Sequence, residues 1–157
     1  MDSVRTKWAP DAARAIIRAH SAQEGPLLPI LQALQAQFGA IQPEAERLIA
    51  EELNLSRADV HGVVSFYHDF RHEPAGRHVL KLCRAEACQA MGSEAQARTL
   101  LEALGLEWGG TTADGRLTVE AVYCLGLCAT APAALLDETP YGRVNEAALT
   151  ALVAEVP

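Results

Sequence analysis

The sequence predicts an α+β protein, with an amino-terminal helical bundle over residues 1–73 and a β-α-β-β-β-α domain over residues 77–157. Three observations carry that prediction. Apolar residues in the first half recur at spacings of three and four, the period of a helix with one buried face. At Glu73-Pro74-Ala75-Gly76 the pattern gives way to a turn-rich linker. Beyond it, short apolar strands alternate with helical stretches, and four cysteines fall in two pairs, each opening where a strand closes.

Taken in order, the first helix opens at Pro10-Asp11 and carries Ile16 and Ile17 on one side. Leu27, Leu28, Leu31, Leu34 and Phe38 form the stripe of the second, which Gly39 ends. Pro43 sits in a first helical turn, where its missing N–H costs nothing, ahead of Leu48, Ile49 and Leu53. Ser56-x-x-Asp59 reads as a capping box with Asp in place of Glu, opening a helix through Val60, Val63, Val64 and Tyr67. In the second half, His78 to Cys83 reads as a strand and about Ser93 to Leu104 as a helix. Asp114-Gly115 turns the chain into a second strand, Leu117 to Tyr123. Ala133 to Asp137 and Tyr141 to Val144 read as a hairpin around Thr139-Pro140. Asn145 then caps a last helix containing Leu149, Leu152 and Val153.

Composition excludes several classes of function. A chain of 157 residues, half of them apolar, can bury roughly 70% of its unfolded surface and needs no staples to hold a core. No apolar run approaches the roughly 20 residues that cross a bilayer. The stretch Met1-Asp2-Ser3-Val4-Arg5-Thr6-Lys7-Trp8 lacks the apolar core of a secretory signal, so a cytoplasmic protein without direct membrane contact is expected. Net charge is −7, with 10 acidic and 7 basic residues before Ala75 and 10 and 6 after it. That even spread leaves no basic face for phosphate backbones, which excludes nucleic acid as a partner.

The chemistry resides in the cysteines. Cys83 and Cys88 form a C-x4-C pair, and Cys124 and Cys128 a C-x3-C pair. A right-handed β-α-β crossover would make the two strands parallel and bring both loops to one sheet edge, so that four thiols converge. Iron–sulfur ligation uses four thiolates, often with wide first spacing. Zinc sites draw on tighter C-x2-C knuckles, and disulfides belong to oxidising compartments. The iron–sulfur reading leads; zinc, disulfides and four unrelated core cysteines stay open as alternatives. Gly126, between the second pair, permits positive φ and close backbone approach, and Gly92 offers the same after the first pair. Arg84 and Glu86 flank the first pair with opposite charges, each also readable as a solvated surface group.

Other features carry less. His61 and His68 lie seven apart on one predicted helix, about two turns and too far for one mononuclear site. Phe66, Tyr67 and Phe70 form an aromatic group suited either to a partner or to internal packing. No catalytic residue is indicated. No C-x-x-C pair supports thiol–disulfide chemistry, and no G-x-G-x-x-G turn supports dinucleotide binding.

The C-x4-C…C-x3-C pattern with Ala131-Pro132 after the last cysteine resembles the thioredoxin-like [2Fe–2S] ferredoxins. That family includes the NuoE-type subunit of respiratory complex I and its relatives in NAD-linked hydrogenases and formate dehydrogenases. Val63-Val64-Ser65-Phe66-Tyr67, Pro74-Ala75-Gly76-Arg77-His78, Thr111-Thr112-Ala113-Asp114-Gly115 and Cys124-Leu125-Gly126 extend the resemblance over nearly the whole chain. Cys83-Arg84-Ala85-Glu86-Ala87-Cys88-Gln89-Ala90-Met91-Gly92 is most similar to the gamma subunit of soluble, molybdenum-containing, NAD-dependent formate dehydrogenase. The resemblance implies a thioredoxin-like fold for the second domain. It also implies one [2Fe–2S] cluster on Cys83, Cys88, Cys124 and Cys128, and a one-electron carrier that docks on a beta subunit bearing FMN, NAD and [4Fe–4S]. The molybdenum centre would lie in an alpha subunit, and no catalysis is expected of this chain alone. A complex I or NAD-linked hydrogenase assembly is the alternative parent, and a zinc-stabilised docking module the second alternative. Pro132 falls where thioredoxin folds place a cis-proline.

Overall fold

Each apolar stripe of the first half becomes one helix in the computed structural model, which describes residues 7–157. They are α1 (Pro10–His20), α2 (Leu27–Phe38), α3 (Pro43–Leu53) and α4 (Arg57–Phe66). Their inward faces meet in one core that includes Ile17, Ile30, Leu34, Phe38, Ile49 and Val64. A fully buried side chain of this size contributes about 1.5–3 kcal/mol, which outweighs the weak intrinsic preference of such short helices. Trp8 closes the bundle edge-on against Phe38, ring centroids 5.0 Å apart.

The helix ends follow their residues. Gly39 takes φ 82° and returns its N–H to Gln35 at 2.7 Å. At α4 both bonds of the capping box form: Asp59 N–H donates to Ser56 Oγ at 3.1 Å, and Ser56 N–H to Asp59 Oδ2 at 3.2 Å. That helix stops at Phe66, one residue short of the expected Tyr67, which is extended. The segment beyond is drawn onto α2. Gln35 donates to the Asp69 carbonyl and accepts from Arg71 N–H, both at 2.7 Å, and Arg71 carbonyl accepts from Ile41 N–H. His68 therefore lies outside the helix, and His61 faces Glu46 at 3.1 Å.

The chain divides into two compact units, one running to Pro74 and one from Ala75 to Pro157. The second consists of β1 (His78–Cys83), α5 (Glu86–Ala90), α6 (Ser93–Leu104), β2 (Leu117–Val122), a 3-10 turn (Cys128–Thr130), β3 (Ala133–Leu136), β4 (Thr139–Gly142) and α7 (Glu146–Glu155). Its four strands run in the order β2-β1-β3-β4. β1 is parallel to β2, with Cys83 opposite Val122, and antiparallel to β3, which pairs antiparallel with β4. Leu80, Leu82, Val119 and Ala134 project from one face into a core completed by Ala97, Leu100 and Leu101 of α6 and Leu149 and Val153 of α7. This is a thioredoxin-like α+β arrangement following a helical amino-terminal part.

Two details differ from the linear reading. The hairpin turns at Asp137-Glu138, not at Thr139-Pro140: Leu136 pairs with Thr139, and Leu135 with Pro140. Asp137 takes φ 53°, and its carboxylate accepts from Val79 N–H and meets His78 Nδ1, which ties the turn to β1. Pro140 is tolerated because β4 is an edge strand with a free side. The turn-rich stretch also belongs partly to the second unit. Ala75 and Gly76 are buried, Gly76 N–H donates to Thr118 Oγ1 at 2.6 Å, and a Cβ on Gly76 would lie 2.9 Å from the Leu117 carbonyl carbon.

No helix among the described residues is long and apolar enough to cross a membrane. Residues 1–6, part of the stretch read for a secretory signal, lie outside the described residues. The Asn145 cap is present, its Oδ1 accepting from Ala148 N–H at 2.9 Å.

Glu52 of α3 bridges to α1, accepting from Arg14 at 2.7 Å and from Arg18 at 3.0 and 3.1 Å. The Arg18 and Arg14 hydrogen bonds hold its carboxyl below the ordinary 4.5. A carboxylate depressed on folding stabilises above its unfolded pKa and loses that contribution as pH falls through its folded value. Glu52→Gln is therefore expected to lower the melting temperature modestly at pH 7. Melts repeated at falling pH should show the gap from the parent closing below about pH 4.5.

Candidate iron–sulfur site

Because β1 and β2 are parallel and in register, their carboxyl ends deliver Cys83 and the Tyr123-Cys124 turn to one sheet edge. α5, which the linear pattern did not reveal, then carries Cys88 back to Cys83, and the 3-10 turn carries Cys128 to Cys124. All four cysteines are free thiols. Cys124 Sγ lies 3.6 Å from Cys128 Sγ, and the Cys83 and Cys88 thiols act on each other, lowering the first and raising the second.

The two pairs interlock. The backbone N–H groups of Cys124 and Leu125, in the second loop, favour the thiolate of Cys83 in the first, alongside Ala85 N–H and the Cys88 thiol. Burial disfavours the Cys83 thiolate, but these donors outweigh it and hold the group below its ordinary value. Cys88 goes the other way: burial and the neighbouring Cys83 raise it, against one N–H from Ala133. Cys128 is raised mainly by its hydrogen bond with Cys124. Gly126 takes φ 76° and donates its N–H to Cys124 Sγ at 3.4 Å. Its value is conformational, since a Cβ there would meet nothing.

Cys124 itself takes φ 91°, a conformation that costs a non-glycine residue about 1–3 kcal/mol. The strain belongs to the turn that brings the second cysteine loop back against the first. Around the inner pair lies a small apolar shell of Ala85, Val122, Leu125, Leu127, Ala131 and Ala133. Cys83 and Cys88 are 3% and 2% exposed, whereas Cys124 and Cys128 are at the surface.

The donor set fits two bridged metal ions. A tetrahedral thiolate site with metal–sulfur bonds of about 2.3 Å has sulfur–sulfur edges of about 3.8 Å, close to the 3.6 Å between Cys124 and Cys128. Among the described residues, no three Cys, His, Asp or Glu side chains close round a single metal position. Thiols in two pairs suit a binuclear cluster with two cysteines per iron better than one zinc. N–H groups aimed at sulfur complete the fit, because thiolates and bridging sulfides are acceptors.

Fold and site together define a class: a thioredoxin-like sheet with two pairs of cysteines gathered at the ends of two parallel strands. The family model for the thioredoxin-like [2Fe-2S] ferredoxin matches residues 13–157, and the chain belongs to that family. Its cofactor is a single [2Fe–2S] cluster. The chain is 32% identical over 133 residues, 85% of its length and 78% of the relative's, to NADP-reducing hydrogenase subunit HndA of Solidesulfovibrio fructosivorans. It is 34% identical over 155 residues to NADH-quinone oxidoreductase subunit 2 of Thermus thermophilus, covering 98% of this chain and 80% of that one. Among solved structures, an NAD+-reducing [NiFe]-hydrogenase in the H2-reduced state superposes with a TM-score of 0.66 at 29% identity. That match covers 81% of this chain and 22% of the hydrogenase chain, so the protein spans about a fifth of it.

Several residues at the site escaped the linear reading. α5 did, although Glu86, Ala87, Gln89 and Ala90 are mostly good helix formers. Positive φ at Cys124 left no glycine to signal it. Arg84 does not act as an isolated cation beside Cys83: it forms a two-pronged pair with Glu94, at 2.9 and 3.1 Å, and stacks over Trp108 at 4.9 Å. Gly142 of β4 permits a close approach to the turn that carries Cys128. A Cβ there would lie 2.5 Å from Thr130 Oγ1 and 2.8 Å from its Cβ. Gly142→Ala is expected to cost about 1–3 kcal/mol by overpacking and to displace Cys128. A melt and an iron assay of the anaerobically purified variant should show both a lower melting temperature and reduced iron.

Proposed function

We propose that Cys83, Cys88, Cys124 and Cys128 ligate the one [2Fe–2S] cluster, and that the chain works as a one-electron carrier in a soluble NAD-linked oxidoreductase. The observation that carries this is the pairing of four free thiols at the ends of two parallel strands, with the second loop packed on the inner pair. When bound, the cluster supplies a reversible one-electron couple whose formal charge passes from about −2 to −3.

The chain's own contribution is binding and electrostatics. The N–H groups of Ala85, Cys124 and Leu125 on Cys83, Ala133 on Cys88 and Gly126 on Cys124 stabilise negative charge on sulfur. The alanine-rich shell lowers the local dielectric on the inner side, which strengthens those bonds. Exposure of Cys124 and Cys128 leaves the outer side open to a partner. On this reading the chain moves electrons supplied elsewhere.

As the parent enzyme, the loop from Cys83 to Gly92 supports NAD-dependent formate dehydrogenase, oxidising formate to CO2 with reduction of NAD. The partners would then be a beta-type subunit bearing FMN, NAD and [4Fe–4S] and a molybdenum-bearing alpha-type subunit, all in the cytoplasm. The hydrogenase and NADH-quinone oxidoreductase relatives favour a second reading, in which the same carrier serves one of those assemblies. In either case residues 1–73 and 77–157 are taken as two domains, the second holding the cluster.

Anaerobically purified protein is expected to be red-brown, to contain about two irons and two acid-labile sulfides per chain, and to give a one-electron paramagnetic signal on reduction. Cys88→Ser should lose most of the iron. Stoichiometric zinc with negligible iron would overturn the assignment. Affinity capture of the intact complex decides the parent enzyme: a molybdopterin subunit supports formate dehydrogenase, while quinone-reducing membrane subunits or a [NiFe] subunit count against it.

A further inference from the structure

Arg84 follows the ligand position Cys83 directly, and its backbone N–H belongs to the sheet, donating to Val122 carbonyl at 2.8 Å. Its side chain is not left to the solvent. Nε and Nη2 donate to the two carboxylate oxygens of Glu94 at 2.9 and 3.1 Å, and the guanidinium carbon lies 4.9 Å from the centre of the Trp108 ring. Arginine and glutamate are 28% and 34% exposed at the side chain. Two-pronged geometry plus an aromatic face fixes the cation in one place, which an isolated surface pair does not do.

A fixed charge next to a redox centre acts on its potential. The reduced state carries one more negative charge than the oxidised, so a nearby cation favours reduction and a nearby anion opposes it. Glu94 sits in the first turn of α6 and reaches back to the first cysteine loop. Resting on the cluster assignment above, we propose that Glu94 is a potential-setting residue: by pairing with Arg84 it cancels the positive charge beside Cys83 and keeps the potential lower than that cation alone would allow.

The proposal separates charge from scaffold, because the two members should act in opposite directions. The test is a redox titration of the reduced paramagnetic signal, on the full chain with cluster, for the parent, Glu94→Gln, Arg84→Gln and the double variant. Glu94→Gln keeps the size and one of the two hydrogen bonds but leaves Arg84 uncancelled. It should favour reduction about threefold, equal to a rise of about 28 mV at about 59 mV per tenfold. Arg84→Gln leaves Glu94 uncancelled and should lower the potential by a similar amount, and the double variant should return near the parent. Glu94→Asp, which retains the charge, should stay within a few millivolts of it.

Unchanged potentials in loaded single variants, or shifts of both in the same direction, would overturn the proposal. If one single variant loses its iron, the other supplies the sign; loss from both assigns the pair to the scaffold alone and overturns it too. A parent protein without any cluster would instead defeat the ligand assignment, which the iron assay detects before any titration.

Discussion

The site depends on one interaction: the turn after β2, through Leu125 and Leu127, packs against Cys83, Cys88 and Ala133. It joins a loop after β2 to a loop after β1, so neither cysteine pair is placed without the other. The parallel register of β1 and β2 makes this possible, since only a parallel pair puts both carboxyl ends on one edge. Cys124 carries the strain of that turn, with φ at 91°. At roughly 1–3 kcal/mol that strain persists only where the surroundings impose it. They do so here through packing of Leu125 and Leu127 in the shell around Cys83, Cys88 and Ala133.

From that joint the electrostatic character of the site follows. The inner pair is buried, apolar in its surroundings and rich in N–H donors; the outer pair is exposed and has few. Such an asymmetry gives the site a protein side that holds charge and a solvent side that is reachable. Arg84 and Glu94 add a neutral pair where a lone cation would otherwise stand. One sheet edge thereby gathers four thiols, an apolar wall and a balanced charge pair.

Much of the fold was legible because its elements are amphipathic and its punctuation is explicit. Gly39, Pro43, the Ser56–Asp59 box and Asn145 mark helix ends by chemistry that acts over three or four residues, and each does in the structure what that chemistry requires. The errors came where a longer-range partner decided. Thr139-Pro140 has turn composition, yet it forms part of an edge strand, because Asp137 is held by β1 and makes the turn two residues earlier. Arg84 read as a free cation because Glu94, ten residues on, and Trp108, in a distant loop, are brought to it only by the packing of α6 on the sheet.

The sequence by itself determined the cysteine spacing, the strand that ends at each pair and the helical stretch between them. Those are local and periodic properties, and they were enough to bring four thiols to one edge and to suggest a binuclear cluster. Tertiary structure alone decided which pair is buried, which N–H groups serve which sulfur and which charges near Cys83 are cancelled. Each of these depends on where one backbone segment lies relative to another far along the chain, and residue spacing carries no record of that.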